Sequence, residues 1–159
     1  MSGPVAGWAI AAAWCVAVLG AGGALTRPVL GGWYRALRKP WFQPPDWLFG
    51  PAWTVILACA AAAFAHAWSA SPDADGRAAL LGAWLLNGAL NVAWSWLFFT
   101  RRRPDQALAE VVPLWISIVP MALLAGAAGW LLLPYLAWVS FAAVLNAAVV
   151  RLNRPFPAH

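Results

Sequence analysis

Carboxylates are scarce in this chain. Asp and Glu together number five among 159 residues, and charged residues of both signs make up 9%. A soluble domain carries about a quarter. With so few acids, none paired within one apolar stretch, there is no carboxylate dyad, nucleophile–base pair or phosphate loop on which to build hydrolysis or phosphoryl transfer. The two cysteines, Cys15 and Cys59, lie inside apolar runs. They give neither a disulfide framework nor a metal spacing and read as small packing residues. His66 has two readings, an axial ligand for haem iron or an interfacial polar group, and its place near the end of an apolar run favours the second. Internal duplication is lacking, which removes the inverted-repeat architecture of secondary transporters. The N-terminal run has no basic leader and is too long for a cleavable signal, so a span is expected there.

What is abundant is apolar. Hydrophobic residues make up 64% of the chain, and thirteen residues are tryptophan. A bilayer core takes about 20 apolar residues per helix, and five stretches qualify: about 5–25, 48–68, 78–99, 107–125 and 130–150. No alternating period supports a β-barrel. The expected fold is all-α, a single integral membrane domain over residues 1–159. It forms a five-transmembrane-helix bundle with a long, partly helical first loop at 26–47. Within that loop, 31–38 reads as a short interfacial helix. Residues 126–129 read as a tight turn, and Pro51, Pro113, Pro120 and Pro134 interrupt apolar stretches.

The basic residues are unevenly placed. Arg27, Arg35, Arg38 and Lys39 fall in the first connection, Arg101, Arg102 and Arg103 in the third, and Arg151 and Arg154 in the tail. A five-span topology puts all of these on one side and leaves Arg77 alone on the other. By the positive-inside rule the N-terminus is expected outside and the C-terminus in the cytoplasm, with the bacterial inner membrane favoured and the outer membrane an alternative. The net charge of +5 is thereby explained as topology, and no nucleic-acid partner is expected.

Candidate site residues gather on two helix faces. Asn87, Asn91, Trp94, Ser95 and Phe98 share one face of the third span. Tyr135, Trp138, Ala142, Leu145 and Asn146 share one face of the fifth. Amides and indoles in such positions line a pocket or bond neighbouring helices, and both readings stand. The fifth-span face equally reads as packed bundle core. Glu110 reads as a charge at a helix N-terminus. Small residues at 78–83, among them Ala79, Gly82 and Ala83, allow close contact with a second copy. The stretch KPWFQPPDWLFGPAWT (39–54) is the most distinctive. Its prolines forbid mid-helix structure around 39–45. Its tryptophans suit an aromatic collar at the membrane surface or a lid over a bound molecule.

With NVAWSWLFF (91–99) and PYLAWVSFAAVLN (134–146), this stretch resembles the TspO/MBR family, the tryptophan-rich sensory protein and translocator proteins also called peripheral-type benzodiazepine receptors. The resemblance runs over nearly the whole chain. It implies a five-helix homodimer with a pocket toward the first loop for porphyrins, haem-like tetrapyrroles and isoquinoline-carboxamide ligands, and no required cofactor or metal. It places Trp41 at the pocket mouth, Trp53, Asn87 and Asn91 on the ligand, and Trp138 and Ala142 along the wall. Some members promote light-dependent porphyrin breakdown, with tryptophans at the positions of Trp53 and Trp138 implicated. The chain departs from the family at Asn87, often glutamine, and at Ala147 in LNAAVVRL (145–152), where animal members carry a tyrosine in their cholesterol motif. High-affinity cholesterol binding is therefore not expected. Three functions follow for testing: a tetrapyrrole sensor or translocator, a light-dependent porphyrin-degrading enzyme, and a ligand-controlled scaffold. In the first, the Arg35/Arg38/Lys39 cluster steers ligand carboxylates to the mouth.

Overall fold

In hydrocarbon, backbone polar groups must be paired within the chain, and helices are the local way to do it. The computed structural model describes residues 3–71 and 73–156, which form helices and turns with no strand. α1 spans Pro4–Thr26, α2 Trp33–Ala36, α3 Asp46–Ala70, α4 Ala74–Ser95, α5 Pro104–Leu124 and α6 Leu133–Asn153. All but the single-turn α2 belong to segments long and apolar enough to cross a membrane. The protein is thus an all-α integral membrane protein of five spans, as its sequence predicts.

Local chemistry marks the helix ends. Pro4 and Pro104 sit in the first turns of α1 and α5, where a missing N–H costs nothing. The Asp73 carboxylate caps α4, accepting from the Gly76 N–H at 2.7 Å. Asp46 lies in the first turn of α3, favoured by the helix dipole. Residues 38–45 are extended or turned, as their prolines require.

Several boundaries differ from the sequence reading. The third span stops being α-helical at Ser95 and continues as a π turn, Trp96–Thr100. The expected tight turn at 126–129 is the start of a 3-10 segment, Gly126–Leu132, that runs into α6. The fifth span is therefore α-helical only from Leu133, and Pro134 opens that helix instead of interrupting it. Pro51, Pro113 and Pro120 do lie inside helices.

The spans pack as a ring. α1 lies against α3 and α4, α4 against α5, and α5 against α6; α6 and the 126–132 segment close onto α3. The end of the ring near the 71–73 turn is solid (Pro72 of that turn lies outside the described residues). There Ala60, Ala63 and Ala67 let α1 approach α3, and Trp14, Phe64, Trp68 and Trp84 interlock. Trp14 Nε1 donates to the Trp84 carbonyl at 2.8 Å, and Trp84 Nε1 donates to the Ala60 carbonyl at 3.2 Å. Gly88 makes room for this, since a Cβ there would sit 2.7 Å from Trp14 Nε1. The opposite end, beneath the first connection, is hollow. Val16, Val55, Leu85, Ile116, Leu123 and Val144 are exposed on the outer surface, as suits a face turned to lipid.

Candidate functional site

The hollow end encloses a cavity of about 540 Å³, within the range of about 300–1,000 Å³ usual for small-molecule sites. Its walls come from α1, α3, α4 with its π turn, and α6; α5 contributes no lining residue. On α1 the lining is Val18, Leu19, the glycine pair Gly22 and Gly23, and Thr26 at its last turn. α1 carries no amide or charge within its apolar run, so nothing in its sequence marks this wall.

Aromatic rings dominate the other three walls. Trp53 of α3 and Trp138 of α6 meet edge to face, with centroids 6.4 Å apart and planes at 82°. Phe49 stands edge-on to Trp138 at 5.7 Å. On the α4 side Trp94 stacks on Phe98 at 5.1 Å and 27°. Between the larger α6 residues, Ala142 leaves space for a bound group. The π turn shapes this region. The Arg101 N–H donates to the Trp96 carbonyl and the Arg103 N–H to the Leu97 carbonyl, each at 2.9 Å, while Arg102 takes a left-handed φ of 54°. The wider turn brings the successive residues Phe98 and Phe99 both to the lining, and π turns recur at functional sites.

A polar chain runs behind this lining. Asn91 Nδ2 donates to Tyr135 Oη at 3.0 Å, and Tyr135 Oη donates to Asn87 Oδ1 at 2.9 Å. Asn87 Nδ2 donates to Ser117 Oγ at 2.8 Å, and Ser117 Oγ donates to the Leu114 carbonyl at 2.7 Å. The direction of each bond fixes the next. Asn91 lines the cavity, and with its nitrogen committed to Tyr135, its Oδ1 is the atom it has to offer a ligand. The Asn146 amide is satisfied with its nitrogen donating to the Pro104 carbonyl at 3.0 Å and its oxygen accepting from the Leu108 N–H at 3.1 Å.

The residues singled out in the sequence are thus divided. Trp53, Asn91, Trp94, Trp138 and Ala142 line one cavity. Asn87 and Tyr135, both 0% exposed, lie outside the lining and bond helix to helix. Trp41 is 95% exposed and packs edge-on against Phe42, away from the cavity. His66 is exposed on the outside of α3 against Trp8 and is not a lining residue. Ala79 and Gly82 are exposed on the outer surface of α4, whereas Ala83 is partly buried against the core. Glu110 is not at the helix start: it lies two turns into α5, beyond reach of the N-terminal dipole. Both its carboxylate oxygens are shielded and have no partner among the described residues.

Lining residues that are also exposed mark the mouth. They are Arg27, Leu30, Asp46, Trp47, Gly50 and Thr54, all in the 27–30 turn that follows α1 or the first three turns of α3. The way in lies between those two helices. The first connection is latched across it. Gln43 Nε2 donates to Asp46 Oδ1 at 3.1 Å and to Tyr34 Oη at 3.3 Å, and Tyr34 Oη points to Asp46 Oδ1 at 3.4 Å. Burial, and then the adjacent Asp46 charge, hold the Tyr34 phenol well above its usual pKa, so it is a neutral donor. A second fastening joins the loop to α6. Asn153 Oδ1 accepts from the Arg38 N–H and Asn153 Nδ2 donates to the Arg38 carbonyl, both at 2.9 Å.

Comparison with known proteins agrees with this architecture. The sequence pattern that defines the TspO/MBR family matches residues 9–152. The tryptophan-rich protein TspO of Chlorobaculum tepidum is 37% identical over 144 residues, covering 87% of this chain and 90% of the relative. A tryptophan-rich sensory protein of Cereibacter sphaeroides is 35% identical over 135 residues, 82% of each chain. The human translocator protein is 31% identical over 132 residues, 76% of this chain and 75% of its own.

Proposed function

The chain belongs to the TspO/MBR family, and from that premise we propose that it binds porphyrins and related tetrapyrroles in the cavity under its first connection, as a membrane translocator or sensor of such rings. The observation that carries this reading is the aromatic lining. Trp53, Trp138 and Trp94 present indole surface on three walls of one apolar cavity, and flat conjugated rings stack on indoles. Asn91 Oδ1 adds an acceptor of the kind that a pyrrole N–H seeks. Isoquinoline-carboxamide ligands, flat and largely apolar, compete for the same surface. No resident cofactor is needed, because the tetrapyrrole is the ligand. Two copies pair through the exposed α4 surface at Ala79 and Gly82, with Ala83 beside them. Sterol is not part of the proposal, since Ala147 stands where an aromatic partner for Arg151 would be needed.

The test is a tryptophan-fluorescence titration of detergent-purified protein with protoporphyrin in the dark. Saturable quenching at micromolar ligand, weakened in Trp138→Phe, is the expected result; its absence overturns the reading. The edge contact between Trp53 and Trp138 favours a second reading, light-dependent porphyrin breakdown in air. Illumination of the same complex decides it. Product that disappears in Trp53→Phe and Trp138→Phe makes the protein an enzyme, and bound but unaltered porphyrin leaves the sensor or translocator.

A further inference from the structure

We infer that Arg27 reads a carboxylate on the bound ring, so that the cavity selects flat apolar molecules carrying an acid at one edge. The inference rests on the ring-binding function proposed above. Two charged side chains line the cavity, Arg27 and Asp46, and they differ in their commitments. Asp46 accepts from Gln43 and faces the Tyr34 hydroxyl, so its charge is engaged within the loop latch. Arg27 forms no side-chain hydrogen bond or ion pair among the described residues; the one ion pair there joins Arg103 to Asp105.

Backbone geometry, not a side-chain partner, puts Arg27 in place. Its N–H donates to the Gly23 carbonyl and ends α1, and Pro28 then carries the chain into a 3-10 turn across the mouth. The guanidinium is left at the rim with all its donors available, the geometry that pairs two-pronged with a carboxylate. The neighbouring cations are elsewhere. Arg35, Arg38 and Lys39 are not lining residues, and the Lys39 ammonium sits over the Tyr34 ring at 4.4 Å. The steering expected of that cluster thus falls to a residue outside it.

Deeper in, the polar lining is neutral: Asn91, Ser95 and Asn146. An ionised acid has no counter-charge there and a large desolvation cost. The ring therefore enters body first, and its acid edge stays at the rim where α1 and α3 part. A purely structural Arg27, serving as a cation at the end of α1, would act regardless of what the ligand carries.

Quenching titrations with protoporphyrin IX and with its dimethyl ester, on wild type, Arg27→Gln and Arg27→Lys, separate the two roles. Wild type is expected to bind the diacid about ten-fold tighter than the ester, the scale of one charge-assisted contact. Arg27→Gln lowers diacid affinity by about that factor and leaves the ester unchanged, which also shows that its cavity is intact; Arg27→Lys restores part of the difference. Equal binding of diacid and ester by wild type overturns the inference, as does an Arg27→Gln effect on both ligands or on neither. If wild type takes up neither ring, the ring-binding function itself fails, a result distinct from lost discrimination.

Discussion

Tyr135 is the residue on which the interior polar chain turns, because its hydroxyl both accepts from Asn91 and donates to Asn87. Tyr135→Phe leaves an amide N–H and an amide oxygen unpaired between helices. Such bonds within membranes contribute about 0.6 kcal/mol on average and up to about 1.7, so the thermal midpoint in detergent is expected to fall by a few degrees. Affinity for protoporphyrin should fall as well, since Asn91 loses the partner that orients it. Ser117→Ala is the contrast. It cuts the chain at its far end and should lower the midpoint comparably while leaving ligand affinity unchanged; equal affinity losses in the two variants would show that the network acts only through stability. Trp41→Ala is expected to leave affinity within two-fold of wild type, because the indole is outside the lining. The same residues show what sequence reveals. Amides in apolar spans stand out because they are costly there, so Asn87 and Asn91 are visible at once. Their division of labour is not visible: one helical turn of depth makes Asn87 a strut and Asn91 a wall. Arg27 went unseen for the opposite reason, since one arginine among several near a helix end reads as topology.

Among the elements, the first connection governs access, and two fastenings hold it. One is the Tyr34–Gln43–Asp46 cluster at the start of α3, and the other is the amide clasp of Asn153 on the Arg38 peptide. Asn153→Ala removes both hydrogen bonds to the Arg38 peptide, together with the Nδ2 bond to the Val149 carbonyl one turn back in α6, at a half-buried position outside the core; each such bond contributes about 0.5–1.5 kcal/mol. Trypsin cleavage after Arg35 and Arg38 is expected to speed up, and bound protoporphyrin to dissociate several-fold faster, with the thermal midpoint nearly unchanged. Unaltered proteolysis and dissociation would mean that the α3 cluster alone holds the loop. The spans themselves were legible, since runs of about 20 apolar residues leave no other solution. The π turn at 96–100 was not. It depends on where the chain must go next, through a left-handed Arg102 into α5, and the residues WLFFT suit an ordinary helix equally well. The clasp was hidden too, because it joins residues 115 positions apart.

At the scale of the whole molecule, charge and cavity share one end. Arg27, Arg35, Arg38, Lys39, Arg101, Arg102, Arg103 and Arg154 fall on connections or the C-terminal segment, and Arg151 in the last turn of α6, all at the end where the cavity opens, whereas Arg77 is alone at the solid end. Whichever way the positive-inside rule turns the chain, the mouth turns with its basic end. With the basic end in the cytoplasm, as the positive-inside rule predicts, a ring would reach the cavity from the cytoplasmic surface of the bilayer, between α1 and α3. Single cysteines test this in a chain whose Cys15 and Cys59 are changed to alanine. Ala74→Cys marks the solid end and Pro155→Cys the open end, and both positions are exposed. A membrane-impermeant maleimide added to intact spheroplasts is expected to label Ala74→Cys at once and Pro155→Cys only after the membrane is opened. The reverse pattern would put the mouth, and with it Arg27, on the outer face. The cavity would then collect acids from outside the cell, and uptake would become the direction of transport that its geometry favours.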